Sequence, residues 1–195
     1  MYATPDGDRV VWHFSQADFI SRAMGRFLAK KLARQADLRD LSGGMRKANS
    51  IIMHAPKTLI FETAADLELW PRILPHYRYI RYLERGPTRN VVVMAAKRSG
   101  IPIVWTSEQI IDRERMEVRF HHLKAFTKGM RVVWTFRETA GGVLVEILHD
   151  LAFRPPLLAP VADKVIGDFF IHDVANKTLR CMKTYVEAQA NRVAA

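Results

Sequence analysis

Six strand-like runs follow one another without an intervening helix, and this order limits the chain to few folds. The runs are Tyr77–Glu84, Asn90–Lys97, Ile101–Asp112, Met116–Leu123, Met130–Glu138 and Val143–Phe153. The breaks between them carry turn chemistry: Gly86-Pro87, Ser99-Gly100, Asp112-Arg113-Glu114-Arg115, Lys128-Gly129 and Gly141-Gly142. Loops this short join antiparallel strands, because a parallel connection needs a dozen or more residues. A doubly wound sheet is not expected, since its strands alternate with helices.

Alternation assigns the faces of these strands. Met116, Val118 and Phe120 oppose Glu117, Arg119 and His121; Val132, Trp134 and Phe136 oppose Arg131, Thr135 and Arg137. Val143, Val145, Ile147, Leu151 and Phe153 oppose Glu146 and Asp150. One face is therefore apolar and aromatic, the other charged. By the same parity His122 and His149 stand on the apolar face, as two polar groups on a dry surface. Arg119 points outward. Tyr79 and Tyr82 lie on opposite faces of one strand, so only one of them can see the interior.

Helices bracket the strands. Asn49–His54 reads as a first strand. Pro56 suits a helix start, where its missing N–H costs nothing, and Ile60, Ala64 and Leu67 then share a face. Trp70-Pro71 and Leu74-Pro75 end this segment abruptly. Arg154-Pro155-Pro156 stops the last strand, and residues 157–189 follow with a helical stripe of Val165, Ile166, Phe169, Phe170, Val174, Leu179, Met182 and Val186. A helix of this length spans roughly 45 Å, enough to cross the sheet. The expected fold class is α+β: a curved antiparallel sheet of six to seven strands wrapped around a long C-terminal helix, with an apolar cavity between them.

The first 48 residues read as a separate extension, followed by one domain over residues 49–190 and a short tail at 191–195. Arg9–Phe14 reads as a short strand. Ser15 is an N-cap, and Phe19, Ile20, Ala23, Met24, Phe27, Leu28 and Leu32 then recur at helical spacing beside Arg22, Arg26, Lys30 and Arg34. Two fates suit this basic amphipathic helix, which ends near Ser42-Gly43-Gly44. Its apolar face docks on the main domain, or residues 19–34 lie in a membrane interface with the cations on anionic headgroups.

The formal charge of +10 favours anionic partners, yet no block of five like charges occurs, and no nucleic-acid-reading motif is present. Nucleic acid is not an expected partner. No run of eighteen apolar residues suggests a membrane span, and the single cysteine, Cys181, excludes an internal disulfide. The expected location is cytoplasmic or membrane-peripheral. No cofactor or metal is implied: there is no Walker loop, no GxGxxG, no Gly-x-Ser-x-Gly and no zinc-type spacing. Asp168 and His172 fall at i, i+4 on the last helix, but lack a third ligand.

The string Ala55-Pro56, Ile60-Phe61, Ala65-Asp66, Trp70-Pro71 and Leu74-Pro75 resembles the START-like (helix-grip) superfamily, in particular its polyketide cyclase/dehydrase and coenzyme-Q-binding groups. Trp105-Thr106-Ser107 with Asp112, Trp134-Thr135-Phe136, Gly141-Gly142 and Phe153–Leu158 continue the likeness over residues 49–190. The resemblance implies a deep apolar cavity for a lipid, an isoprenoid quinone or a polyketide. Within such a cavity Trp70, Trp105, Phe120, Trp134, Phe136, Ile147, Phe169 and Phe170 are the expected ligand contacts. His122 and His149 are the candidate acid and base, imidazole being the side chain that titrates near neutral pH; their plain alternative is a pair of hydrogen-bonded core histidines. Three functions stay open: a carrier of an apolar ligand, an aromatase/cyclase promoting aldol condensation and dehydration, and an interaction module with a basic surface.

Overall fold

The computed structural model describes residues 2–6, 9–13, 45–98, 101–125, 127–151 and 172–194. Near the N-terminus β1 (Tyr2–Asp6) and β2 (Arg9–His13) pair as an antiparallel hairpin. The main sheet has seven strands: β3 (Met45–Met53), β4 (Tyr77–Glu84), β5 (Arg89–Arg98), β6 (Ile101–Asp112), β7 (Glu117–Lys124), β8 (Arg131–Thr139) and β9 (Gly142–Leu151). Their order is β3-β9-β8-β7-β6-β5-β4, with every neighbouring pair antiparallel. The strands from β4 to β9 form the expected meander. The first strand, β3, closes beside the last, and it starts at Met45, four residues before the stretch read as a strand in the sequence.

Two short helices carry the chain from the β3 edge to the β4 edge. Helix α1 (Lys57–Ala65) begins after Pro56, whose carbonyl accepts the first helical bond from Ile60 N–H at 3.1 Å. Ile60, Phe61 and Ala64 are fully or almost fully buried, as is Leu67 just beyond the helix. Phe61 packs edge-on against Phe136 of β8, ring centroids 5.7 Å apart. Helix α2 (Trp70–Ile73) is a single turn with Pro71 at its start, where no intrahelical N–H is required.

Helix α3 (His172–Ala194) lies against β3 and α1. Val174, Leu179, Met182 and Val186 are buried as the helical stripe requires. Its far half is pinned to the end of β3: Lys183 Nζ donates to the Ile52 carbonyl at 2.8 Å, and His54 N–H donates to Glu187 at 2.7 Å. Together the sheet and α3 make the helix-grip architecture, with the apolar face of the sheet turned to the helix. No described helix is long and apolar enough to cross a membrane.

Strand parity holds in β8 and β9, where buried and half-exposed residues alternate. It fails at Met116, expected to begin an inward-facing set. Met116 has a φ of 53°, which places it in the turn before β7 and leaves it half-buried. The helix expected over residues 15–42, with its stretch 19–34, and the first part of the last helix lie outside the described residues.

Candidate functional site

A cavity opens between the inner face of the sheet and the start of α3. Trp70, Trp105 and Trp134 form much of its wall, with Phe120 and Ile147 between them. Trp70 stands at the head of α2 and is 2% exposed. Its indole N–H donates to the Thr63 carbonyl at 3.3 Å, and its ring meets Tyr77, Phe120 and Trp134 at centroid distances of 5.1, 5.9 and 5.8 Å. The Trp-Pro turn thus fixes the ring both as a core plug and as a cavity wall.

Both candidate histidines line the same cavity. His122 sits on β7, where the β7–β8 loop folds back over it. Ala125 and Gly129 take left-handed φ values of 77° and 91°, and Gly129 N–H returns to the His122 carbonyl at 2.8 Å. This loop brings the fully buried Thr127 hydroxyl to 2.7 Å from His122 Nδ1. On its other side His122 stacks on Trp105, centroids 5.9 Å apart and planes 25° from parallel. His149, on β9, is buried, and its Nδ1 has no hydrogen-bond partner within the protein.

Burial sets the charge state of these rings. It lowers the His122 pKa to about 3, helped by the neighbouring His149 and His121. Burial alone lowers His149 to about 3 as well. Both are neutral imidazoles at neutral pH, each with one N–H to donate and one lone pair to accept. No Asp, Glu, Lys or Arg is among the described residues lining the cavity, and no group of three or more potential metal ligands gathers among the described residues.

A second polar group closes the cavity at the junction of β4 and α3. Tyr77 and Thr178 both line it. Burial raises the Tyr77 pKa, so the phenol stays protonated. Behind them His76 Nε2 lies 2.8 Å from Thr178 Oγ1. The cavity has a volume of about 60 Å³, small beside the roughly 300–1,000 Å³ of small-molecule sites, so the wall side chains must move apart to admit a ligand.

Of the residues singled out in the sequence, Trp70, Trp105, Phe120, Trp134, Ile147, His122 and His149 meet in one place. Phe136 is not among the lining residues; it is taken up by Phe61 beneath α1. Phe169 and Phe170 lie outside the described residues. Arg119 faces outward, bonded to Asp112 at 3.1 Å and to Glu117 at 2.8 Å. Tyr77, Met94, Val132, Val174, Ala175 and Thr178 also line the cavity and are not among the expected ligand contacts. Tyr77 was obscured by a register shift between Tyr77 and Tyr79, which turns Tyr77 inward and leaves Tyr79 at 42% exposure. Tyr82 is half-buried against the core.

Comparison with known proteins agrees with this architecture. Residues 53–174 match the family described as polyketide cyclase / dehydrase and lipid transport. A putative polyketide cyclase of Streptomyces cyaneus is 30% identical over 123 residues, covering 62% of this chain and 80% of that protein. The crystal structure of the Zhui aromatase/cyclase from Streptomyces sp. R1128 superposes with a TM-score of 0.64 at 18% identity, over 74% of this chain and 94% of that one. A START superfamily protein from Mycobacterium smegmatis superposes with a TM-score of 0.54 at 13% identity, over 77% of this chain and 99% of that one. At these identities the two structures speak for the fold alone. The family match covers more than half of the chain and takes in most of the cavity wall, so the chain belongs to the polyketide cyclase/dehydrase and lipid transport family.

Proposed function

We propose that this protein takes a poly-β-ketone chain into its cavity and promotes ring closure with loss of water. The observation that carries the reading is the meeting of His122 and His149 with three tryptophan rings in one cavity, the Nδ1 of His149 being without a protein partner. A buried polar atom without a partner is uncommon, and a ligand oxygen or C–H acid placed there would supply one. The aromatic wall suits flat, partly conjugated intermediates, for which ring contacts and area burial provide affinity.

The chemistry asked of these residues is modest. In aldol closure a methylene between two ketones gives up a proton, and its electron pair forms a bond to a ketone carbon further along the chain. The π pair of that carbonyl moves to oxygen, which takes the proton back; in dehydration the remaining α proton is removed, its electron pair forms the C=C bond as the C–O bond breaks, and the hydroxyl leaves with a proton as water. His149, presenting a bare nitrogen, is placed to hold the proton in transit. Tyr77 and the N–H of His122 are donors for the oxygen on which charge develops, in a site where exclusion of water strengthens each hydrogen bond.

The low pKa values of the two histidines favour a second reading. Imidazoles that titrate near pH 3 are weak bases, and a cavity whose described lining offers only neutral donors and acceptors suits a carrier of a finished aromatic or other apolar ligand. Incubation with a thioester mimic of a poly-β-ketone separates the readings, with product distribution followed by mass spectrometry and 2-naphthol binding followed by tryptophan fluorescence. Cyclised product that is lost in His149→Phe while 2-naphthol still binds supports the cyclase. Binding without turnover by the unmodified protein supports the carrier. Neither binding nor turnover overturns both.

A further inference from the structure

We infer that His76 is a positioning residue of the cavity: it donates from Nε2 to Thr178 and so leaves the Thr178 hydroxyl hydrogen free to turn toward the ligand. This rests on the reading that the ligand carries oxygen atoms. His76 does not line the cavity. It lies behind the wall, 3% exposed, with its ring 4.9 Å from that of Tyr77. Its Nε2 is 2.8 Å from Thr178 Oγ1, while its Nδ1 is buried with no partner.

That unpaired nitrogen decides the direction of the chain. A neutral imidazole carries one N–H and one lone pair. If the proton sat on Nδ1, a buried N–H would be left without an acceptor, and the Thr178 hydroxyl would spend its hydrogen on Nε2. If the proton sits on Nε2, the unpaired atom is a lone pair, which is the better-tolerated kind of orphan. The Nε2–H form is therefore the stable one, and Thr178 becomes the acceptor from His76. The hydroxyl hydrogen of Thr178 is then free to point into the cavity that Thr178 lines. Each donor in such a chain polarises the next.

The surroundings keep the chain in this state. Burial, with the Lys177 cation beside it, lowers the His76 pKa to about 4, so the ring does not gain the second proton that would tie up both nitrogens as donors. Two turns along α3, Thr184 spends its hydroxyl on the Arg180 carbonyl at 3.1 Å; Thr178 instead meets His76 from across the helix–sheet junction. The device thus joins residues 102 positions apart in the chain.

Two measurements test it. The ¹⁵N spectrum of histidine-labelled protein at pH 7 should show His76 as the neutral Nε2–H tautomer; the Nδ1–H tautomer would overturn the inference. Affinities for 2-naphthol and naphthalene, read by quenching of tryptophan fluorescence, should differ about tenfold in favour of 2-naphthol, the worth of one hydrogen bond. Thr178→Val should lose most of that preference with naphthalene affinity unchanged, and Thr178→Ser should keep it. His76→Gln, whose amide N–H can replace Nε2–H, should keep more of it than His76→Phe. Retention of the full preference in both Thr178→Val and His76→Phe would overturn the inference. If the unmodified protein binds neither probe, the proposed function falls, and the tautomer of His76 alone decides this point.

Discussion

The Nδ1 atom of His122 lies 2.7 Å from Thr127 Oγ1, and the loop that brings them together needs left-handed backbone at both Ala125 and Gly129. His122 is thus oriented by a hydroxyl delivered from its own hairpin. Thr127→Val should keep the side-chain volume and leave His122 Nδ1 without a partner. The expected cost is about 1–3 kcal/mol of stability, with weakened or misdirected ligand turnover. Thr127→Ser should recover most of both. Equal urea midpoints for the Val and Ser variants would count against an orienting role.

Three buried histidines should make the fold acid-sensitive in a defined window. Burial holds His122 and His149 near pH 3 and His76 near 4, all below the unperturbed 6.5. Because the unfolded chain binds these protons first, their contribution is fully present above about pH 6.5 and is lost as pH falls toward 3–4. Each histidine can remove up to about 1.4 kcal/mol per pH unit across that window. The expected result is an unfolding free energy that drops steeply between pH 6.5 and 4, less steeply in His149→Phe. Parallel slopes in the two proteins would rule out His149 as a contributor.

Most of the architecture was legible in the sequence because each strand ends in residues with a turn preference and alternates along its length. Gly141-Gly142 and Lys128-Gly129 mark two hairpins, and the alternation of Val143 to Leu151 survives intact in the structure. Parity gives the face of a strand but not the depth along it. Trp134 and Phe136 share a face, yet Trp134 lines the cavity while Phe136 packs on Phe61 under α1. A register shift hid Tyr77, and a positive φ removed Met116 from its strand. The His76–Thr178 contact was beyond reach for another reason: the registration of α3 on β4 comes from packing across the whole core, not from either local pattern.

A buried amide chain ties the end of α1 to the sheet, and its loss should be felt at the cavity. Gln109, fully buried, donates to the Ala65 carbonyl at 2.8 Å and accepts from Asn90 Nδ2 at 2.8 Å. Gln109→Leu matches the volume but strands an amide hydrogen and a carbonyl in a dry place. Two orphaned groups predict a loss of about 2–4 kcal/mol, with the denaturant midpoint lowered and the m-value unchanged. The double variant Asn90→Val, Gln109→Leu should lose less than the sum of the two single changes, since the groups share one bond. A strictly additive cycle would contradict this account.

Two glycines with left-handed backbone should respond very differently to a methyl group. Gly129, at φ 91°, has open space where a Cβ would stand. Gly129→Ala therefore meets only the backbone preference, about 1 kcal/mol, and His122 should keep its bond to Thr127. Gly142, at φ 116°, would place a Cβ 2.9 Å from the Met53 carbonyl oxygen. That oxygen belongs to β3, the edge strand paired with β9, so relief requires the two strands to separate at Met53–Val143. Gly142→Ala should cost at least twice as much as Gly129→Ala, and amide exchange at the end of β3 should quicken. Thermal unfolding of the two variants side by side measures this, and equal losses would show that crowding at Met53 is not what makes Gly142 necessary.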